Sequence, residues 1–227
     1  HLKPALLELG GKAPFVVLDD ADLDEAVAAA AFGAYMNQGQ ICMSTERIIV
    51  VDAVADVFAE KFAAKAQSLP TGDPREGTAP LGAVVDQKTV DHVNSLIEDA
   101  VAKGAKLLSG GTAETVLMPA TIVDHVTAAM NIYRDESFGP VVAMIRARDT
   151  EHAIALANDT QYGLTGYLWT SDVTRAFRFT DALEAGQLAI DPSAHLVAPP
   201  CLPGRPALPR LVPAPATGAT CCPSTPT

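Results

Sequence analysis

Cys42 has the sequence context that most clearly points to chemistry. It lies in Asn37-Gln38-Gly39-Gln40-Ile41-Cys42-Met43-Ser44-Thr45-Glu46-Arg47, between an alanine-rich segment and a β-branched one. A lone cysteine in such a place is most often a small buried hydrophobe. Gly39, however, allows a tight turn that can present a thiol in a cleft, with the Cys42 N–H nearby as an oxyanion donor. Two interpretations therefore stay open, a structural cysteine and a nucleophile.

A thiol nucleophile needs a base or a positive local potential, and Glu8 is the candidate base. It lies in Leu7-Glu8-Leu9-Gly10-Gly11-Lys12, among apolar residues and before two glycines. The five histidines are scattered along the chain, and none is a strong partner for Cys42. Partial burial raises the pKa of a carboxyl group, which suits a general base. The alternative is a solvated glutamate at the end of a strand.

Other common site motifs are absent from the sequence. No two of the 16 glycines stand two positions apart, so the dinucleotide fingerprint Gly-x-Gly-x-x-Gly is missing, as is the phosphate-binding loop that ends in Gly-Lys-Ser/Thr. No histidine pair has metal-ligand spacing, and residues 1–191 contain no cysteine other than Cys42. The sequence therefore predicts neither a metal site nor a disulfide framework.

Composition excludes several classes of partner. The chain has 227 residues, 27 acidic against 16 basic, and a formal net charge of -11. Nucleic acids and anionic membrane surfaces repel such a chain, so we expect neither as a partner. No apolar run approaches the ~20 residues that a membrane span needs. Its 48% hydrophobic content is typical of a globular domain.

The last 36 residues differ from the rest of the chain. Residues 192–227 contain no acid, 10 of the 17 prolines and three of the four cysteines. Each proline removes a backbone donor, so this density excludes a packed helix or a central strand. We therefore expect a folded domain over residues 1–191 and an unstructured proline-rich tail over residues 192–227.

Helical and strand periodicities alternate along residues 1–191, which predicts an α/β sheet with helices on its faces. Asp20 and Asp22 are cap candidates for the first helix, and Asp86 and Thr150 for two later ones. Val101 is predicted to lie on the buried face of the helix that Asp86 starts. The predicted strands are 15–18, 47–51, 105–108, 140–145, 166–170 and 186–190, and the predicted helices are 23–34, 54–62, 86–101, 150–158 and 172–183.

Five segments, in order, resemble the conserved blocks of the aldehyde dehydrogenase superfamily. They are Glu8-Leu9-Gly10-Gly11-Lys12, Gly39-Gln40-Ile41-Cys42, Glu136-Ser137-Phe138-Gly139-Pro140, Asn158-x-x-x-Tyr162-Gly163-Leu164 and Gly186-Gln187-Leu188-Ala189-Ile190. Cys42 lies 34 residues after Glu8, the spacing that the family requires. The resemblance implies the three-layer catalytic domain of that family, with a mostly parallel sheet. It also favours the nucleophile interpretation of Cys42.

The resemblance implies a role for each matching residue. Cys42 would attack an aldehyde carbonyl to give a thiohemiacetal, which would lose hydride to the nicotinamide C4 and become an acyl-enzyme. Glu8 would then activate the water that hydrolyses the acyl-enzyme. Because relatives that transfer the acyl group to coenzyme A generally lack this glutamate, Glu8 favours water as the acceptor. The cofactor would be NAD or NADP: Glu136 would hold the nicotinamide ribose, Phe138 would pack on the nicotinamide, and Leu9 and Gly10 would contact it through their backbones.

The stretch around Cys42 is most similar to bacterial dehydrogenases of aromatic aldehydes, of the vanillin, salicylaldehyde and benzaldehyde types. Ile41 and Met43 flank the nucleophile and are candidates to line an apolar substrate pocket, although methionine is also common core filler. We therefore expect an aromatic aldehyde as the small-molecule substrate. The parent enzyme is expected to be cytoplasmic and to assemble as a homodimer or homotetramer.

The sequence also departs from the family pattern. The nucleotide-binding half has no counterpart, Asp191 stands where the family has asparagine, and the later Pro-Phe-Gly-Gly block is absent. We expect a partial sequence whose tail arises from a shifted frame or a fusion, with a genuine linker as the alternative. The chain alone is then expected to be inactive. A non-enzymatic domain that keeps the catalytic fold is the competing hypothesis.

Overall fold

The computed structural model describes residues 9–77 and 79–191, and within them the strands form one seven-stranded sheet. The strand order is β3-β4-β5-β2-β1-β6-β7, and every pairing is parallel except that of β3 with β4. Glu8 and the predicted tail lie outside the described residues. The strands are β1 (Ala13–Val17), β2 (Thr45–Val51), β3 (Lys106–Ser109), β4 (Thr121–Asp124), β5 (Val141–Ala147), β6 (Gly166–Trp169) and β7 (Leu188–Ile190).

Helices cover both faces of this sheet. They are α1 (Leu23–Tyr35), α2 (Asp52–Gln67), α3 (Gln87–Ala102), α4 (Asn131–Arg134), α5 (Thr150–Asn158) and α6 (Val173–Ala182), with 3-10 turns at Met36–Gly39 and Pro74–Glu76. Four of the helices begin behind an aspartate whose carboxylate accepts N–H bonds from the first turn, as N-cap preferences predict. These aspartates are Asp22, Asp86, Asp149 and Asp172.

The core has two halves, one on each face of the sheet. Because successive side chains of a strand point to opposite faces, Phe15 of β1 packs with α1 and α2, while Val16 packs with α3, α5 and α6. Every residue of β1 and β2 is buried, as expected for parallel strands covered on both sides. The predicted three-layer α/β fold is confirmed. No helix among the described residues has the length and apolar character needed to cross a membrane.

Four details differ from the sequence-based expectations. Asp149, rather than Thr150, caps α5 by accepting the His152 N–H. Asp20 does not cap α1; its carboxylate binds the segment that follows β6. Val101 is 45% exposed because it lies at the edge of the apolar stripe in the last turn of α3. The short elements β4 and α4 went unpredicted, since four residues are too few to show a period.

Candidate functional site

Three separate segments meet at one edge of the sheet, where the parallel strands begin. Residues 9–12 precede β1, residues 36–44 precede β2, and residues 136–140 precede β5. Strands that run parallel in adjacent positions bring their leading segments to the same edge. The structure therefore places Gly10 against Glu136, Gly11 against Cys42 and Gly39 against Gly139, although these residues are far apart in the sequence. The roles assigned to Cys42, Glu136 and Phe138 stay predictions.

Two glycines allow the backbones of these segments to touch. A Cβ atom built on Gly11 would collide with the carbonyl oxygen of Cys42, and one built on Gly39 would collide with that of Gly139. Gly39 also has a φ of 72°, which glycine adopts without strain. The segment that follows Glu8 in the chain thus lies directly against the cysteine backbone.

Cys42 occupies the centre of a tight turn. Asn37 and Gln38 have φ values of 51° and 57°, which are costly for residues with a Cβ, and they reverse the chain after α1. The turn is closed by the Ser44 N–H, which donates to the Ile41 carbonyl at 2.8 Å. Cys42 is a free, half-buried thiol at this turn.

Neighbouring side chains hold the turn from both sides. The Gln40 side-chain oxygen accepts the Val85 N–H at 2.8 Å. The Tyr167 hydroxyl, on β6, donates to the Met43 carbonyl at 2.9 Å. Burial raises the pKa of Tyr167, so the phenol stays a donor. Ile41 and Met43 are half-buried on either side of Cys42, and their role in a substrate pocket stays a prediction.

Glu136 is fixed against the glycine pair of the first segment. Its Oε1 accepts the Gly11 N–H at 2.7 Å. A Cβ atom built on Gly10 would lie only 2.6 Å from Oε2 of Glu136, so a side chain at Gly10 would collide with this carboxylate. Burial raises the pKa of Glu136, although the Gly11 bond opposes the shift. The Glu136 carbonyl oxygen is 2.8 Å from Nε2 of His92.

Phe138 presents its ring at the surface of this edge. The side chain is 39% exposed, and the backbone has a φ of 48°. An exposed aromatic side chain two residues after a carboxylate suits the ring and sugar of a nucleotide, because the aromatic ring can stack and the carboxylate can accept hydrogen bonds from hydroxyl groups. The described residues therefore fit the nicotinamide end of the expected cofactor. Leu9 is exposed beside them, and its contact with the cofactor stays a prediction.

Sequence reasoning missed the function of two charged residues at this edge. Glu46 is the second residue of β2 and Lys12 precedes β1, and both are buried. Lys12 Nζ lies 2.7 Å from Glu46 Oε2. Burial lowers the pKa of Lys12, and the carboxylate of Glu46 opposes that shift. The available signal was the pair of charged residues Glu46-Arg47 at the start of a strand rich in β-branched residues, since a buried charge in a strand needs a partner.

Comparison with known proteins identifies one family over most of the chain. Residues 1–201 match the aldehyde dehydrogenase family. The chain is 51% identical over 196 residues to a vanillin dehydrogenase of Pseudomonas fluorescens, an alignment that covers 86% of this chain and 41% of that protein. It therefore spans about two fifths of the length of the relatives that it matches.

Two solved structures have the same fold over the same region. A salicylaldehyde dehydrogenase from Pseudomonas putida G7, complexed with salicylaldehyde, superposes with a TM-score of 0.80 at 44% identity, covering 85% of this chain and 40% of that one. An NADP-dependent glyceraldehyde-3-phosphate dehydrogenase from Bacillus halodurans C-125, complexed with NADP, also gives 0.80, at 38% identity, covering 83% and 39%.

Proposed function

Because this chain belongs to the aldehyde dehydrogenase family, we propose that it forms the catalytic part of an NAD(P)-dependent enzyme that oxidises an aldehyde to its carboxylic acid. The observation that carries this proposal is that Gly11 contacts both the Cys42 backbone and the Glu136 carboxylate at one edge of the sheet, with Phe138 two residues after Glu136. Oxidation of an aldehyde by this route needs a nucleophile close to groups that can hold a nicotinamide.

The proposed chemistry takes place on Cys42. After the thiol proton is lost to solvent, the thiolate sulfur attacks the carbonyl carbon of the aldehyde and the C=O π electrons move to oxygen, which gives the oxyanion of a hemithioacetal. The Cys42 N–H is the candidate donor to this oxyanion. Loss of hydride from this adduct leaves a thioester on the sulfur. Glu8 removes a proton from water, which attacks the thioester, releases the carboxylic acid and restores the thiol.

The cofactor, when bound, supplies the hydride acceptor. We assign its sugar to the carboxylate of Glu136 and its ring to the exposed face of Phe138. The backbones of Leu9 and Gly10 line the same place. Support comes from Gly10, because the absence of a side chain there allows the Glu136 carboxylate to lie against the segment before β1. Both NAD and NADP are compatible with this end of the site, because the two cofactors share the same nicotinamide ribose.

An aromatic aldehyde is the substrate class that we favour. Its support is the naming of similar proteins as vanillin and salicylaldehyde dehydrogenases, together with half-buried Ile41 and Met43 beside Cys42. The alternative is a domain that keeps the fold without turnover. The oligomeric state and the cytoplasmic location expected from the sequence stay predictions.

The decisive experiment is the Cys42→Ala variant of the whole protein, assayed for NADH or NADPH formation. Benzaldehyde, vanillin and salicylaldehyde are compared with an aliphatic semialdehyde. We expect the variant to lose turnover with every substrate, while Cys201→Ala, Cys221→Ala and Cys222→Ala keep it. Turnover without Cys42 would refute the mechanism. Inactivity of the unchanged protein with all four aldehydes would favour the domain without turnover.

A further inference from the structure

One buried carboxylate joins the three segments of the site. The side chain of Glu46 accepts Lys12 Nζ at 2.7 Å, the Ser137 N–H at 2.7 Å and the Phe138 N–H at 3.0 Å. Oε2 binds the ammonium and the Ser137 amide, and Oε1 binds the Phe138 amide. Among the described residues, the donors to this carboxylate come from the segment before β1 and the segment before β5, and none comes from its own strand.

Burial of the Lys12–Glu46 ion pair costs desolvation free energy, which several hydrogen bonds must offset. Glu46 is 3% exposed and Lys12 is 1% exposed, so both charges have lost most of their water. Apolar side chains of similar volume are often as stable as a buried ion pair, so stability alone is a weak reason for one. A pair that also binds two backbone amides of a loop gains a second effect, which is to define where that loop lies.

Residues 136–138, the loop that Glu46 binds, have a backbone conformation that needs support from their surroundings. Phe138 has a φ of 48°, in the left-handed region that is unfavourable for a residue with a Cβ. Such a conformation persists only where its surroundings impose it. Charge-assisted hydrogen bonds to two consecutive amides impose it here, because both N–H groups must point at one carboxylate.

A hydrogen bond from Gly11 adds a second link between the segment before β1 and the segment before β5. Gly11 and Lys12 are consecutive, and the Gly11 N–H donates to Glu136 while the Lys12 ammonium binds Glu46. Glu136 is therefore bonded to the segment that follows Glu8 directly, through Gly11, and Phe138 is linked to it through Glu46 and Lys12. A shift of the loop along this edge would break the Gly11 bond and the Glu46 bonds together.

We propose that Glu46, paired with Lys12, is a positioning residue that holds residues 136–138 in the conformation that receives the nicotinamide end of the cofactor. Glu46 touches neither substrate nor cofactor and acts through the backbone of Ser137 and Phe138. This inference rests on the proposed function for its consequence in catalysis, but the holding of the loop can be measured without activity.

The first arm of the test measures hydrogen exchange in this chain by NMR. Glu46→Gln keeps the shape of the side chain but offers one acceptor oxygen and places an NH₂ donor against donors. We expect the Ser137 and Phe138 amides to exchange at least tenfold faster, the effect of about one lost hydrogen bond. Asp20→Asn is the matched control, because its carboxylate also organises a loop, through Thr170 and Asp172, at the opposite end of β1.

The second arm measures kinetics in the whole protein. In Glu46→Gln the KM for NAD or NADP should rise about tenfold, with the KM for the aldehyde within twofold of its original value. A purely structural role would instead lower kcat in proportion to the folded fraction and leave the cofactor KM unchanged. Asp20→Asn should change neither KM.

Each outcome decides the proposal. Unchanged exchange at Ser137 and Phe138, or faster exchange without a change in cofactor KM, would overturn it. If Glu46→Gln does not fold, the double variant Lys12→Met/Glu46→Gln removes the unpaired buried cation and is measured in its place. Failure of both variants to fold would assign the pair to the core and overturn the positioning role. If the unchanged protein oxidises no aldehyde, the proposed function fails, and hydrogen exchange alone decides whether Glu46 holds the loop.

Discussion

Replacing Gly11 by alanine tests the contact on which the geometry of the nucleophile depends. The new Cβ would stand 2.0 Å from the Cys42 carbonyl oxygen, whereas ordinary van der Waals contact begins at 3.4 Å. The oxygen and the Gly11 backbone must therefore separate by more than 1 Å, and no flexible side chain can absorb the shift because both groups are backbone. A misplacement of about 1 Å costs on the order of 10²-fold in rate. Overpacking of this kind also costs about 1–3 kcal/mol of stability.

Two measurements on Gly11→Ala separate these effects. Steady-state turnover of the whole protein should fall about 10²-fold, and the melting temperature should fall by about 2–12 °C for a domain of this size. Gly82→Ala is the matched control, because its Cβ would meet its neighbours at 3.6–3.7 Å, in ordinary contact. Turnover of Gly11→Ala within twofold of the unchanged protein, at a temperature where it is folded, would refute the close contact between the two segments.

Three further predictions concern single side chains of the site. Glu8→Gln should leave a pre-steady-state burst of reduced cofactor and slow steady turnover by ~10²–10⁴-fold; loss of the burst as well would assign Glu8 to activation of the thiol. Tyr167→Phe removes the bond to the Met43 carbonyl and should lower the free energy of unfolding by about 0.5–1.5 kcal/mol. The same variant should alter the rate at which iodoacetamide alkylates the Cys42 peptide, followed by mass spectrometry, and no change in either quantity would show that the bond does not hold the turn. Glu136 has a pKa raised by burial, so its contribution to stability is fully present at pH values below its unfolded pKa and is lost as the pH rises through its folded pKa. Denaturant unfolding of Glu136→Gln between pH 4 and 8 should therefore show the variant gaining stability relative to the unchanged protein as the pH rises, and a constant difference would contradict the assigned burial.

The sequence predicted those features whose signals are local. Aspartates before apolar repeats located the starts of α1 and α3, a short apolar run located β1, and a run of β-branched residues located β2. The family was identified correctly from five short blocks. Prediction was wrong where neighbouring residues compete for one role, as at Thr150 and Asp149, since either side chain can cap a helix and only the final backbone geometry selects one.

The tertiary structure alone decided how the site is held together. Glu46 binds amides 91 and 92 residues away, and Gly11 binds a carboxylate 125 residues away. No local pattern encodes such bonds, because they arise only when parallel strands bring their leading segments to a common edge. The sequence by itself therefore determined the kinds of residue that could react, the elements that carry them and the family. Folding decided which backbone atoms approach Cys42 and which buried charge holds Phe138, because close packing and desolvation depend on neighbours that are distant in the chain.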